Sequence, residues 1–263
     1  MDKFINVTIK AAIEAGKKIL EVYERDFTVE IKADSSPLTE ADRQAHHAIK
    51  DVLAETGIPI LSEEGKQMSY DERKNWKEFW LIDPLDGTKE FIKKNGEFTV
   101  NIALIKDGTP VLGVVYVPVT GVVYAGSQET GSFSFNTNHN GTSVSELLKD
   151  AVKLPFSIQQ TQYTIVASRS HSTPETEAFI EERKKVHGDV NLISAGSSLK
   201  LCLVAEGKAQ VYPRLAPTME WDTAAGHAVA KFAGCKVYNY ETNNELKYNK
   251  ENLLNPWFVV ERS

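Results

Sequence analysis

The sequence predicts a mixed α and β protein, and three observations predict it. Apolar residues first recur at helical spacing, then gather in short β-branched runs separated by glycine turns, and after about residue 155 strand and helix signals alternate. The change of pattern near Leu154-Pro155 divides the chain into an α+β half, residues 1–154, and an α/β half, residues 155–263.

In the first half, Ile5, Ile9, Ala12, Gly16, Ile19 and Tyr23 fall at steps of three and four, which is one face of an amphipathic helix. A second helix is expected over residues 39–55, with Ala41, Ala45, Ile49, Val52 and Leu53 facing inward. Then the period shortens. Residues 58–61 and 79–82 are brief apolar runs, and residues 98–105, 111–117 and 122–125 are rich in β-branched side chains with Asp-Gly or Thr-Gly turns between them, so an antiparallel sheet follows. In the second half, strands are expected at 163–167, 190–193, 209–212, 235–240 and 257–260, with helices at 174–186, 197–206 and 222–232.

With 263 residues, 41% of them hydrophobic and 25% charged, the chain has the composition of an ordinary globular protein able to bury a core. A net charge of −6 with no Lys/Arg block sets it against a nucleic-acid polymer as partner. Cys202 and Cys235 sit in no CxxC or Cys/His cluster and read as small buried apolar groups. No apolar run approaches the length of a membrane span and the N-terminus does not read as a leader, so a cytoplasmic protein is expected. The Asn-x-Thr sequons at Asn6 and Asn140 match a glycosylation pattern by letters alone.

Four acidic corners carry the chemistry. In Asp83-Pro84-Leu85-Asp86-Gly87-Thr88 an apolar strand stops, proline fixes the exit and glycine permits a close backbone approach. Two carboxylates and the Leu85 carbonyl there suit a hard cation such as Mg²⁺, while a solvated turn with a capping Asp is the competing reading. Ser62-Glu63-Glu64-Gly65 leaves another short apolar run, where paired acids are by themselves usually surface charge. In Glu220-Trp221-Asp222-Thr223, Asp222 stands at a helix start, as an N-cap or as a carboxylate beside free N–H groups. Thr39-Glu40-Ala41-Asp42 reads as a capping box, and His46 and His47 beyond it as helix-surface residues. Four acids that each end a regular element argue for a shared site.

In this order the Asp-Pro-Leu-Asp-Gly-Thr and Trp-Asp-Thr-Ala-Ala-Gly boxes, with Thr-Glu-Ala-Asp and Ser-Glu-Glu-Gly, resemble the inositol-monophosphatase superfamily of Mg²⁺-dependent, lithium-sensitive sugar and nucleotide phosphatases. The resemblance implies a layered αβαβα sandwich of the type shared with fructose bisphosphatases. It implies two or three Mg²⁺: one held by Glu64, Asp83 and the Leu85 carbonyl, a second by Asp83, Asp86 and Asp222. Asp42 would lie at a third metal or water-activating position, orienting the Thr88 hydroxyl, and Glu64 would stand beside the attacking water. Glu64, Leu85, Asp86, Gly87, Thr88 and Asp222 would also meet the substrate.

Residues 211–229 carry a narrower likeness, to the bisphosphate nucleotidases of that superfamily. It implies hydrolysis of adenosine 3′,5′-bisphosphate to AMP and phosphate in sulfur metabolism, with the 5′-phosphosulfate analogue left open as a second substrate. Ser168, His171, Ser197, Lys200 and Arg214 would contact base, sugar and second phosphate. An inositol or fructose phosphatase with the same acidic corner is the alternative, and a catalytically silent binding protein a further one. Oligomeric state and peripheral association with an inner membrane are left open.

Overall fold

A computed structural model describes residues 4–32, 37–137, 143–156, 162–168 and 173–262, with Ser168 described by its backbone alone. In chain order the first half comprises α1 (Ile5–Tyr23), β1 (Val29–Ile31), β2 (Pro37–Thr39), α2 (Glu40–Leu53), β3 (Ile60–Ser62), α3 (Tyr70–Arg73), β4 (Glu78–Asp86), α4 (Thr88–Ile92) and β5 (Thr99–Lys106). It continues with β6 (Thr109–Val117), β7 (Val122–Ser127), β8 (Gly131–Asn136), α5 (Val144–Leu147) and β9 (Val152–Lys153). The second half holds β10 (Thr164–Ser168), α6 (Pro174–His187), β11 (Asn191–Ala195), α7 (Leu199–Ala205), β12 (Val211–Arg214), α8 (Glu220–Phe232), β13 (Cys235–Asn239) and β14 (Phe258–Arg262).

Among the described residues, β1 and β2 make a small hairpin, β3 to β9 form a seven-stranded sheet in sequence order, and a five-stranded sheet runs β11-β10-β12-β14-β13. The large sheet is antiparallel except where β3 lies parallel to β4. In the smaller one β10 pairs in parallel with β11 and β12, and β14 runs antiparallel to both its neighbours.

Alternation along the strands decides the layers. Trp80 and Ile82 of β4 pack under α1 and α2 with Ile9, Ile19 and Ile49. Phe79 and Leu81 point the other way, into a second core with Leu201 and Val204 of α7, Ala225 and Val229 of α8, and Phe258 and Val260 of the small sheet. The far face of the small sheet meets α6 through Ile165, Val259, Phe179 and Ile180. The result is α1/α2, large sheet, α7/α8, small sheet, α6, which is the αβαβα order. A sheet covered on both faces explains why β4 is apolar at successive positions and not at alternate ones. Gly113 of β6 lies directly under α8, where a Cβ would collide with the Ala225 carbonyl, so the absent side chain lets helix and sheet close up.

Several elements differ from the expected ones. The 39–55 helix ends at Leu53 and tightens into a 3₁₀ turn, Ala54–Thr56; the expected 197–206 helix begins at Leu199; the 222–232 helix begins two residues earlier. β8 gives little sequence signal because it alternates phenylalanine with serine, and Ser132 and Ser134 are themselves buried. No helix among the described residues is long and apolar enough to cross a membrane.

Candidate active site

The site begins where β3 and β4 end together. Glu63 continues the parallel pairing beyond β3, its N–H donating to the Ile82 carbonyl at 3.1 Å, so its side chain leaves the sheet beside Asp83. Against β5, Asp83 pairs with Asn101 and Asp86 with Thr99, so β4 carries one extra residue between them and bulges. Pro84 fits there because it has no ladder N–H to lose. The bulge tucks the Leu85 N–H onto Asp83 Oδ1 at 3.0 Å. Gly87 follows with φ 95°, a conformation strained for any side chain, and starts α4.

Asp222 arrives from α8. One of its oxygens accepts the Met219 N–H at 2.9 Å, which caps the helix and orients the carboxylate. Glu63, Asp83 and Asp222 each present an oxygen, all within 4.8 Å of one another. Asp86 is held at the edge of this group: its Oδ2 accepts from Asn101 Nδ2 at 3.2 Å and from Ser198 Oγ at 2.8 Å.

The electrostatics are those of an anionic cluster that Lys32 offsets only in part. Burial, reinforced by the neighbouring carboxylates, pushes Asp83 and Asp222 well above the usual carboxylate range. Burial raises Glu63 to about 7, with Lys32 opposing the shift. Lys32 Nζ bonds Glu63 at 3.0 Å and makes a closer contact with Glu64. A set of converging hard oxygens whose mutual repulsion a divalent cation would relieve fits Mg²⁺.

This geometry corrects the sequence expectation at Glu64. The acid that converges with Asp83 and Asp222 is Glu63, whereas Glu64 is turned to Lys32. Adjacent residues leaving a strand point to opposite sides, and the rung shared with Ile82 selects Glu63. That signal was present in the sequence only as a choice between two neighbours.

Thr88 and Asp42 meet above this corner. Thr88 Oγ1 lies 3.3 Å from Asp42 Oδ1 and 3.4 Å from the Leu85 carbonyl. The other Asp42 oxygen accepts from Thr39 N at 2.7 Å and Thr39 Oγ1 at 2.6 Å, so the capping box and the site use the same carboxylate. Burial raises the Asp42 pKa against those hydrogen bonds. His46, expected on the helix surface, is buried with Nδ1 2.9 Å from Ser62 Oγ, bracing the strand end that delivers Glu63.

Glu63, Asp83, Leu85, Asp86, Gly87, Thr88 and Asp222 line one cavity of about 280 Å³. A second of about 130 Å³ shares Asp86, Gly87, Glu90 and Asp222 with it and is walled by Ser197, Lys200 and Arg214. Lys200 is buried; its Nζ donates to the Ser197 carbonyl at 2.7 Å, and desolvation lowers its pKa to about 8. Arg214 donates through Nη2 to the Pro217 carbonyl at 2.9 Å, and its buried Nε has no hydrogen-bond acceptor among the described residues.

Ser197 departs from its expected place at a helix start. It precedes α7 with φ 54°, its Oγ 2.9 Å from the Asp86 carbonyl and 2.8 Å from Thr99 Oγ1, so the hydroxyl ties the second half to the metal corner. The Ser168 side chain and His171 lie outside the described residues. Lys32, Asn101 and Ser198 carried no sequence signal because their partners come from distant segments.

The Inositol monophosphatase family profile matches residues 1–259. The 3′(2′),5′-bisphosphate nucleotidase CysQ of Escherichia coli O6:H1 is 45% identical over 254 residues, 95% of this chain and 96% of its own. The crystal structure of CysQ from Bacteroides thetaiotaomicron, a bacterial member of the inositol monophosphatase family, superposes with a TM-score of 0.89 at 53% identity, covering 97% of this chain and 96% of that one. The extragenic suppressor protein suhB from Bartonella henselae gives a TM-score of 0.76 at 23% identity over 100% and 94% of the two chains, which shows the shared fold.

Proposed function

The chain belongs to the inositol monophosphatase family, and on that premise we propose that it is a Mg²⁺-dependent 3′(2′),5′-bisphosphate nucleotidase that hydrolyses adenosine 3′,5′-bisphosphate to AMP and phosphate. The observation that carries this reading is the joining of two unlike cavities. A carboxylate-lined one suits a cation-assisted phosphate ester, and the one beside it, which shares Asp86, Glu90 and Asp222 but adds Lys200 and Arg214 to its wall, offers cations to a second phosphate on the same molecule.

Glu63, Asp83 and the Leu85 carbonyl would hold one cation, and Asp83, Asp86 and Asp222 another. Bound there, Mg²⁺ supplies Lewis-acid stabilisation of charge on the phosphoryl oxygens and acidifies water. The chain's own part is to position and to move a proton. Thr88 Oγ1 accepts a proton from the attacking water as its own passes to Asp42 Oδ1, 3.3 Å away. The raised pKa of Asp42 makes that carboxylate a better proton acceptor than an exposed Asp. Lys200 and Arg214 bind the phosphate that is not cleaved, which fixes the reacting ester against the carboxylate corner.

The test is phosphate release from adenosine 3′,5′-bisphosphate, its 5′-phosphosulfate analogue and inositol 1-phosphate, each with Mg²⁺, with EDTA, and with Mg²⁺ plus Li⁺. A Mg²⁺-dependent, Li⁺-sensitive preference for the nucleotides is expected. Preference for the inositol ester would keep the acidic corner and overturn the substrate assignment.

A further inference from the structure

Residues 249–251 are gripped from two sides by buried charges of opposite sign. From the first half, Arg73 at the end of α3 is only 2% exposed. Its Nη1 donates to Asn249 Oδ1 at 2.8 Å and to the Lys250 carbonyl at 2.7 Å, and its Nη2 to the Glu251 carbonyl at 2.9 Å. Asn249 Nδ2 returns a bond to the Arg73 carbonyl at 2.9 Å. From the second half, fully buried Glu220 accepts from Asn249 N at 2.7 Å, Lys250 N at 3.0 Å and Lys250 Nζ at 2.5 Å. Asn249, at φ 68°, makes the turn that presents both N–H groups to one carboxylate.

Charges taken out of water are tolerated only where such bonds hold them, so this geometry resists displacement. The grip continues along the segment. Glu220 N donates to the Leu253 carbonyl at 2.9 Å, and Asn255 Nδ2 donates to the Met219 carbonyl at 2.8 Å and lies 3.0 Å from Thr223 Oγ1. The turn that carries Asp222 is therefore bonded to residues 249–255, and the first three of these to Arg73. Asp83 and Glu63 belong to the first half and Asp222 to the second, so their spacing is set by what joins the halves: the packing of α8 on the large sheet at Gly113, the Ser198 hydroxyl bonded to both the Asp86 carboxylate and the Asp222 carbonyl, and this clamp.

We propose that Arg73 is a positioning residue for Asp222: the two-sided clamp of Arg73 and Glu220 on residues 249–251 sets where the Asp222 carboxylate stands relative to Asp83, and thereby how tightly the site takes a divalent cation. The inference rests on the reading of Asp222 as a cation ligand. Outer partners that orient ligands are commonly worth tenfold or more in metal affinity.

The test is calorimetric titration of Mg²⁺ alone into the wild type, Arg73→Met, Asp222→Asn and the double variant. Arg73→Met should weaken Mg²⁺ binding about tenfold, Asp222→Asn at least as much, and the double variant no more than Asp222→Asn, because a residue acting through Asp222 has nothing left to act on. Should Arg73→Met fail to fold, Asn249→Gly removes two of the bonds to Arg73 while tolerating the positive φ, and carries the same expectation. Wild-type Mg²⁺ affinity in Arg73→Met beside a weakened Asp222→Asn, or additive losses in the double variant, would overturn the clamp alone. Unchanged binding in Asp222→Asn would overturn the cation reading of the site, and the clamp with it.

Discussion

Thr88 Oγ1, on the wall of the carboxylate cavity, stands 3.3 Å from Asp42 Oδ1, which joins the first turn of α4 to the first turn of α2. Their separation in sequence is large, and only the packing of α2 on β4 brings them together. Replacing Thr88 with valine keeps the volume and removes the proton path, so kcat should fall by about 10² or more while Mg²⁺ affinity stays near the wild-type value. Single-turnover phosphate release together with Mg²⁺ titration checks both halves of this expectation. Wild-type turnover would remove Thr88 from the proton path.

Glu63 and Glu64 separate under the same treatment. Glu63→Gln takes a charge from the converging group and should weaken Mg²⁺ binding about tenfold or more. Glu64→Gln loosens the contact with Lys32 and should change it much less. Equal losses in the two variants would return Glu64 to the cation site.

The carboxylate cluster should cost the cation-free protein stability as pH rises, against the opposite contribution of His46 and His227, whose pKa values burial lowers. Asp83, Asp222 and Glu63 have folded pKa values above their ordinary values of 3.8, 3.8 and 4.5, so between those values and the folded ones the native state binds more protons than the unfolded chain. Their penalty is absent near pH 4 and grows through the window that Glu63 extends to about 7. In EDTA, a change from pH 5.5 to 7.5 should lower the Tm of the wild type relative to Asp83→Asn by about 4 °C, and Mg²⁺ should restore most of that loss at pH 7.5. A Tm in EDTA that rises over this interval in the wild type but not in Asp83→Asn would contradict the sign.

Lys200 links substrate choice to pH. Its ammonium is held near a pKa of about 8 by burial, so its charge is present at pH 7 and lost by pH 9. KM for adenosine 3′,5′-bisphosphate should rise about tenfold over that range, and that for inositol 1-phosphate should hardly move. Lys200→Met should abolish the difference between the substrates, and Arg214→Ala should reduce it. Parallel KM profiles for the two esters would show that this wall does not read the second phosphate.

The local boxes were legible because each encodes its own geometry. Pro84 and Gly87 dictate the bulge and the left-handed turn around Asp83 and Asp86, and Thr39 and Asp42 cap a helix by contacts three residues apart. The strands of β5 to β7 were legible through their β-branched runs, whereas β8 was hidden because buried serines replace apolar residues on it.

By itself, then, the sequence determined the mixed architecture and which acidic corners exist, since turns, caps and periodicity are decided by neighbours along the chain. Only the tertiary structure decided which of two adjacent glutamates joins the cluster, because that depends on a strand register shared with Ile82. It also decided that Asn101 and Ser198 would hold Asp86, that Lys32 would pair with Glu63, and that Arg73 would reach residues 249–251. Such partners lie far apart in the chain, and burial makes their hydrogen bonds obligatory only once packing has brought them together.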